Sequence, residues 1–106
     1  MIKVIQSNRV CAPQVFCDWC GERIEDARQG NFEWSDAKND PEQGKVLFAH
    51  KRCSRALQAA RQITPGTWRT GELMFFPLFL GNNLNLNWEE AWKQLRQRVD
   101  FGFAGP

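Results

Sequence analysis

The chain has 106 residues, 42% of them hydrophobic, with five tryptophans and eight phenylalanines, which is material for one domain with its own core rather than a peptide collapsed around an ion. Its longest apolar run, residues 73–80, is far shorter than the roughly 20 residues of a membrane-spanning helix, and the polar opening stretch lacks the apolar segment of a secretory signal. A soluble, cytoplasmic protein with no membrane partner is therefore expected. The net charge of +2 hides an uneven distribution: residues 1–17 carry +2, residues 18–42 carry −5, residues 43–71 carry +6 and the remainder −1.

In chain order, residues 2–6 (IKVIQ), 31–34 (NFEW) and 45–49 (KVLFA) read as short strands, each rich in β-branched or aromatic side chains. Between the last two lies SDAKNDPEQG, where Asp40-Pro41 and Gly44 favour turns, so a hairpin with a long acidic tip is expected. From His50 the apolar period changes to three and four: Cys53, Ala56, Leu57, Ala60 and Ile63 share one face of a helix, and Lys51, Arg55, Gln58 and Gln62 line another. Thr64-Pro65-Gly66 ends it. A second section opens at Trp68 and runs through GELMFFPLFLG, where Pro77 argues against one uninterrupted helix and a helix followed by a loop is the reading. Asn87 then caps a last helix whose Trp88, Ala91, Trp92, Leu95 and Val99 form a stripe expected to face the core.

Cysteine spacing carries the chemistry. Four cysteines in a small secreted domain would suggest two disulfides, but the close pair Cys17/Cys20 is answered thirty residues on by His50/Cys53. That is metal-site spacing, and it favours a reducing compartment. Two residues between Cys17 and Cys20 let both thiols reach one ion from a tight turn, and Gly21 supplies the residue that tolerates positive φ there. His50 and Cys53, three apart in the first turn of the predicted helix, project to the same side. The alternative is four such residues at this spacing by coincidence, with no metal. Cys11 is the spare: as a small buried hydrophobe in its simplest reading, or as a substitute ligand should His50 not bind.

A knuckle, a hairpin and a helix that carries the last ligand pair resemble the treble-clef zinc fingers over residues 17–63. The resemblance implies one structural zinc held by Cys17, Cys20, His50 and Cys53. It implies little about activity, because that fold serves ribosomal proteins, interaction domains, DNA-binding domains and nucleases alike. LIM and RING domains hold a pair of zinc ions with twice this ligand set, whereas the chain has five Cys and His residues in all. The fold class expected is therefore α+β: a treble-clef-like module over residues 1–64, packed in one domain with an aromatic-rich, mostly helical section over residues 65–106.

Catalysis is not expected. Four ligands fill a zinc tetrahedron, and the only histidine is one of them, leaving none for acid or base work. HNH-type nucleases need a catalytic histidine besides their zinc ligands. Zinc deaminases need a glutamate where Arg52 stands and a proline where Phe16 stands, with the two motifs in the opposite order. The acidic group Glu22, Glu25 and Asp26 reads as a solvated face ahead of a second metal site. No small-molecule substrate is expected. Function then lies on the surface that the zinc organises, and two readings remain. Lys45, Lys51, Arg52, Arg55 and Arg61, in an acid-free stretch beside a helix N-terminus, suit contact with nucleic acid or with a protein that handles it. The aromatic second section, or the acidic hairpin tip, suits a protein-binding adaptor or inhibitor.

Overall fold

The computed structural model describes residues 1–7, 10–36, 44–61 and 68–98. It is an α+β molecule with two small sheets. Strands β1 (Ile2–Ser7) and β2 (Val10–Val15) form an antiparallel pair in which Ile2 faces Val15 and Gln6 faces Cys11. β2 was not foreseen, because Pro13 and Cys11 weaken its strand signal. Pro13 is tolerated in a two-stranded sheet, where every strand has a free edge.

The second sheet has the order β4-β3-β5, all antiparallel, built from β3 (Gly30–Ser35), β4 (Val46–His50) and β5 (Trp68–Glu72). β3 and β4 are the expected hairpin, registered from Gly30 opposite His50 to Trp34 opposite Val46. The acidic tip, with Asp40-Pro41, lies outside the described residues, as do Ile63 and the Thr64-Pro65-Gly66 stop. β5 corrects the reading of the second section, which does not begin as a helix. Residues 68–72 pair with β3, so the sheet of the first section is completed by the second.

Alternation along β3 sends its side chains to two faces. Asn31 and Glu33 meet helix α1 (Ser54–Ala60): Asn31 Nδ2 donates to Ser54 Oγ at 3.0 Å, and Ser54 Oγ donates to Glu33 Oε1 at 2.6 Å. Phe32 and Trp34 stack at 5.3 Å on the opposite face, where Phe32 also meets Phe76 at 5.1 Å and Phe79 at 5.6 Å. Those two rings belong to α2 (Phe76–Asn83), reached through a 3₁₀ turn over residues 73–75. Pro77 lies in the first turn of α2, where a missing N–H leaves no bond unmade, so the proline starts this helix rather than interrupting it. One core joins both faces: Phe32, Leu47, Phe48, Ala49, Leu57 and Leu73 are buried together with Ile24, Cys17 and Cys53.

Helix α3 (Trp88–Arg96) is capped as expected, Asn87 Oδ1 accepting the Glu90 N–H at 3.0 Å. Its stripe is a correction. No residue of α3 is buried, and Trp88 and Trp92 stand exposed, so the apolar face does not point into the core; Val99 lies outside the described residues. Amphipathic spacing fixes which side of a helix is apolar but not what covers it. No helix among the described residues is long and apolar enough to cross a membrane.

Candidate metal centre

The site is assembled from three places in the chain. β2 runs into a knuckle at residues 17–21 that folds back on itself: Cys17 N–H donates to the Glu22 carbonyl at 2.9 Å, Gly21 N–H to the Cys17 carbonyl at 3.0 Å, and Phe16 bridges Arg23. Gly21 has φ of +77°, the conformation its position in the motif demanded. The backbone N–H groups of Trp19 and Cys20 lie 3.4 and 3.5 Å from Cys17 Sγ and point charge stabilisation at that sulfur.

Asp18 fixes the knuckle to the sheet. Its N–H donates to the Phe48 carbonyl at 2.7 Å, and its Oδ2 accepts the Phe48 N–H at 2.8 Å, closing a two-bond latch on the edge of β4. Two residues further on, β4 ends at His50. The imidazole is therefore delivered by a strand end, not by the first helical turn: His50 is extended at φ −58° and ψ 147°, and a 3₁₀ turn over residues 51–53 carries the chain on to Cys53 and α1. The expected proximity survives this change, since a 3₁₀ turn also brings residues three apart to one side.

The result is a compact cluster. The ligand atoms of Cys17, Cys20, His50 and Cys53 all lie within 4.8 Å of one another, with Cys17, His50 and Cys53 buried and Cys20 exposed. His50 Nδ1 is 3.4 Å from Cys20 Sγ, and Nε2 is 3.2 Å from the Arg23 carbonyl. Because a carbonyl only accepts, Nε2 carries the proton and Nδ1 presents its lone pair to the thiols. Among the described residues this is the one group that gathers three or more such ligands. Cys11 is not in it and is exposed on β2, contrary to the buried hydrophobe expected. Asp26 of the acidic group instead caps the turn after it, accepting the Arg28 N–H at 2.9 Å and pairing with the Arg28 guanidinium at 2.7 Å.

The electrostatics of the cluster suit a cation. Burial opposes ionisation of Cys17, but the backbone of Cys20, His50 and Trp19 and the His50 side chain outweigh it and bring the thiol down to about 6. Burial, followed by the adjoining sulfurs of Cys17 and Cys20, pushes Cys53 up to about 11. Several thiolates cannot share so small a volume unless a cation neutralises them, and a divalent ion would take the place of the protons. The donor set, three sulfurs and one imidazole nitrogen, fits a metal ion bound at their centre.

The residues proposed for nucleic acid are only partly brought together. Lys51, Arg52 and Arg55 are all exposed around the start of α1. Lys45 precedes the opposite end of β4, and Arg61 follows the last residue of α1. Lys51 is also engaged, its Nζ lying 2.7 Å from Glu72 Oε1. Sequence reasoning missed the Asp18 latch and the Arg23 carbonyl, which depend on contacts between segments that no spacing rule encodes. Compared with protein-family models, curated proteins and solved structures, the chain matches none of them.

Proposed function

We propose that the chain is a non-catalytic, zinc-stabilised module that recognises a macromolecule, with nucleic acid, or a protein that handles it, as the partner. The observation that carries this reading is the closed ligand set, four donor atoms within 4.8 Å of one another with three of the residues buried. Zinc in such a site has its four positions filled, so no ligand position is left for the water or substrate of a catalytic centre. The chain's one histidine is part of the set and is held at its other nitrogen by Arg23.

Recognition then falls to the surface beside the zinc. Arg52 and Arg55 are exposed, three apart, one immediately before Cys53 and the other two residues after it; the whole stretch of residues 51–61 contains no acid. A zinc-pinned turn holds such side chains at a fixed spacing, which suits phosphate oxygens. The test is fluorescence anisotropy of the zinc-loaded chain with single- and double-stranded oligonucleotides at low and moderate salt. Binding in the range of about 1–100 µM that weakens with salt is expected, with affinity and salt slope both reduced in R52A/R55A. Binding unchanged by that variant, or none at low salt, would sink the nucleic-acid reading.

A second reading has its own observation. Met74, Phe75, Leu78 and Phe79, on and just before α2, are all exposed, and apolar side chains exposed together on one element mark an association surface. This favours a protein-binding adaptor, and retention of a specific protein by the zinc-loaded chain but not by L78K would support it.

A further inference from the structure

Helix α3 places its apolar residues and its charges in a self-complementary arrangement. Trp88, Ala91, Trp92 and Leu95, with Leu86 ahead of them, line a shallow apolar groove on one side of the helix. Trp88 is 43% and Trp92 48% exposed. The first turn is anchored, since a Cβ on Gly81 of α2 would run into the Trp88 ring. The remainder of the stripe is presented outward from a fixed base.

The charges flank that stripe in a specific way. Glu89 and Arg96 are seven residues apart, so at 3.6 residues per turn they lie within about 20° of each other around the axis and about 10 Å apart along it. Both border the stripe on the same side, and the Arg96 guanidinium lies over the Trp92 ring, 5.8 Å from its centroid. The helix is acidic in its first turn, Glu89 and Glu90, and basic in its last, Lys93 and Arg96.

We propose that two copies of the chain associate through this face, with the two α3 helices packed antiparallel about a two-fold axis. In an antiparallel pair the same flank of each helix meets its own counterpart. A two-fold axis at the level of residues 92 and 93 then sets Glu89 of each copy against Arg96 of the other, twice over, with the two Trp92 rings beside the axis. A parallel two-fold pair would instead set this charged flank against the opposite, Gln94-bearing flank and leave both ion pairs unmade, and antiparallel packing also sets each helix's positive end beside the other's negative end. The argument for a second copy over an unrelated protein is this symmetry: acid and base at matched distances from the stripe's midpoint, on one flank, are complementary to themselves. A half-exposed tryptophan, Trp92, at the centre with charges at the rim is also the usual anatomy of an association surface.

The test is sedimentation velocity of the zinc-loaded full chain over low to high micromolar concentration. A concentration-dependent monomer–dimer equilibrium is expected, abolished in W92K. E89R and R96E alone should each weaken the dimer by about ten-fold, because each replaces two rim ion pairs with two like-charge contacts. Mixed in equal amounts, E89R and R96E should associate at least as well as the unmodified chain, since only the mixed dimer restores both ion pairs. Zinc content and circular dichroism of each variant check that it is folded. A monomer at every concentration overturns the proposal, and so does a dimer indifferent to W92K or a mixture no stronger than its components.

Discussion

His50 is held between two partners of opposite kind: its Nε2–H donates to the carbonyl of Arg23 at 3.2 Å, and its Nδ1 lone pair faces the sulfur of Cys20 at 3.4 Å. The first contact sets the tautomer that makes the second productive, so the knuckle that supplies two ligands also orients a third. Replacing His50 with Ala removes a ligand and leaves the Arg23 carbonyl without its donor. Zinc affinity, measured by competition with a chromophoric chelator, should fall by at least about 100-fold. H50C, which restores a fourth donor, should recover most of it. Equal zinc affinity in H50A and the unmodified chain would remove His50 from the site.

Zinc uptake should release protons. At neutral pH Cys17, at about 6, is already mainly thiolate, while Cys53, at about 11, holds its proton and must lose it to bind. Each proton that a metal displaces adds about ten-fold in affinity per pH unit, so the Cys53 proton alone makes affinity rise with pH between those two values. Below about 6 it should fall more steeply, because Cys17 then also has to be deprotonated. Calorimetry in buffers of differing ionisation enthalpy counts the protons directly. A pH-independent affinity between pH 6.5 and 8 would contradict this account.

How much of this was legible in the sequence depended on whether the governing constraint was local. The cluster of Cys17, Cys20, His50 and Cys53 was legible because two pairs of residues at metal-site spacing point to one shared ion whatever the chain does between them. The Asn87 cap is likewise a local fact of backbone chemistry, whereas Pro77 was read as a break in a helix and proved to start one. β5 was not legible: Trp68-Arg69-Thr70-Gly71-Glu72 has only Trp68 and Thr70 to favour a strand, against Gly71 and two charges, and it is a strand because β3 offers it an edge. The position of His50 at a strand end had the same cause, since the Asp18 latch to Phe48 keeps β4 extended up to that residue.

Glu33 makes a prediction about stability. It sits on the central strand with no exposure to solvent; Oε1 accepts bonds from Ser54 Oγ at 2.6 Å and Gln58 Nε2 at 3.0 Å, while Oε2 has no hydrogen-bond partner among the described residues. Burial raises its pKa above the ordinary carboxylate value, and the bonds from Ser54 and Gln58 offset only part of that. The folded state therefore binds the proton more tightly than the unfolded chain. Its contribution to stability is fully present below the unfolded pKa and is lost as pH rises through the folded one. E33Q keeps an acceptor and removes the charge, so it should be more stable than the unmodified chain at pH 7, by a larger margin than at pH 4. Denaturant unfolding at both pH values decides it; a variant less stable than the unmodified chain at pH 7 would show that the carboxylate is needed ionised.

Two glycines probe the metal site and the packing around Phe32 independently. Gly21 has φ of +77° and no atom within 4 Å of where a Cβ would stand, so G21A strains the knuckle backbone and nothing else, at a cost of about 1 kcal/mol. Its N–H bonds to the Cys17 carbonyl at 3.0 Å inside the chelate turn, so that strain should appear as weaker zinc binding. Gly71 presents the opposite case. A Cβ there would lie 2.6 Å from Phe32 Cε1, against a ring already fixed by Trp34 and Phe76. G71A should cost about 1–3 kcal/mol through displacement of that ring, with zinc affinity of the folded protein little changed. Denaturant unfolding of the zinc-loaded variants, set beside their zinc affinities, distinguishes the two. If G71A lowered affinity as much as G21A did, the aromatic face and the metal centre would have to be mechanically coupled through β3 and β4, and the separation drawn between them would fail.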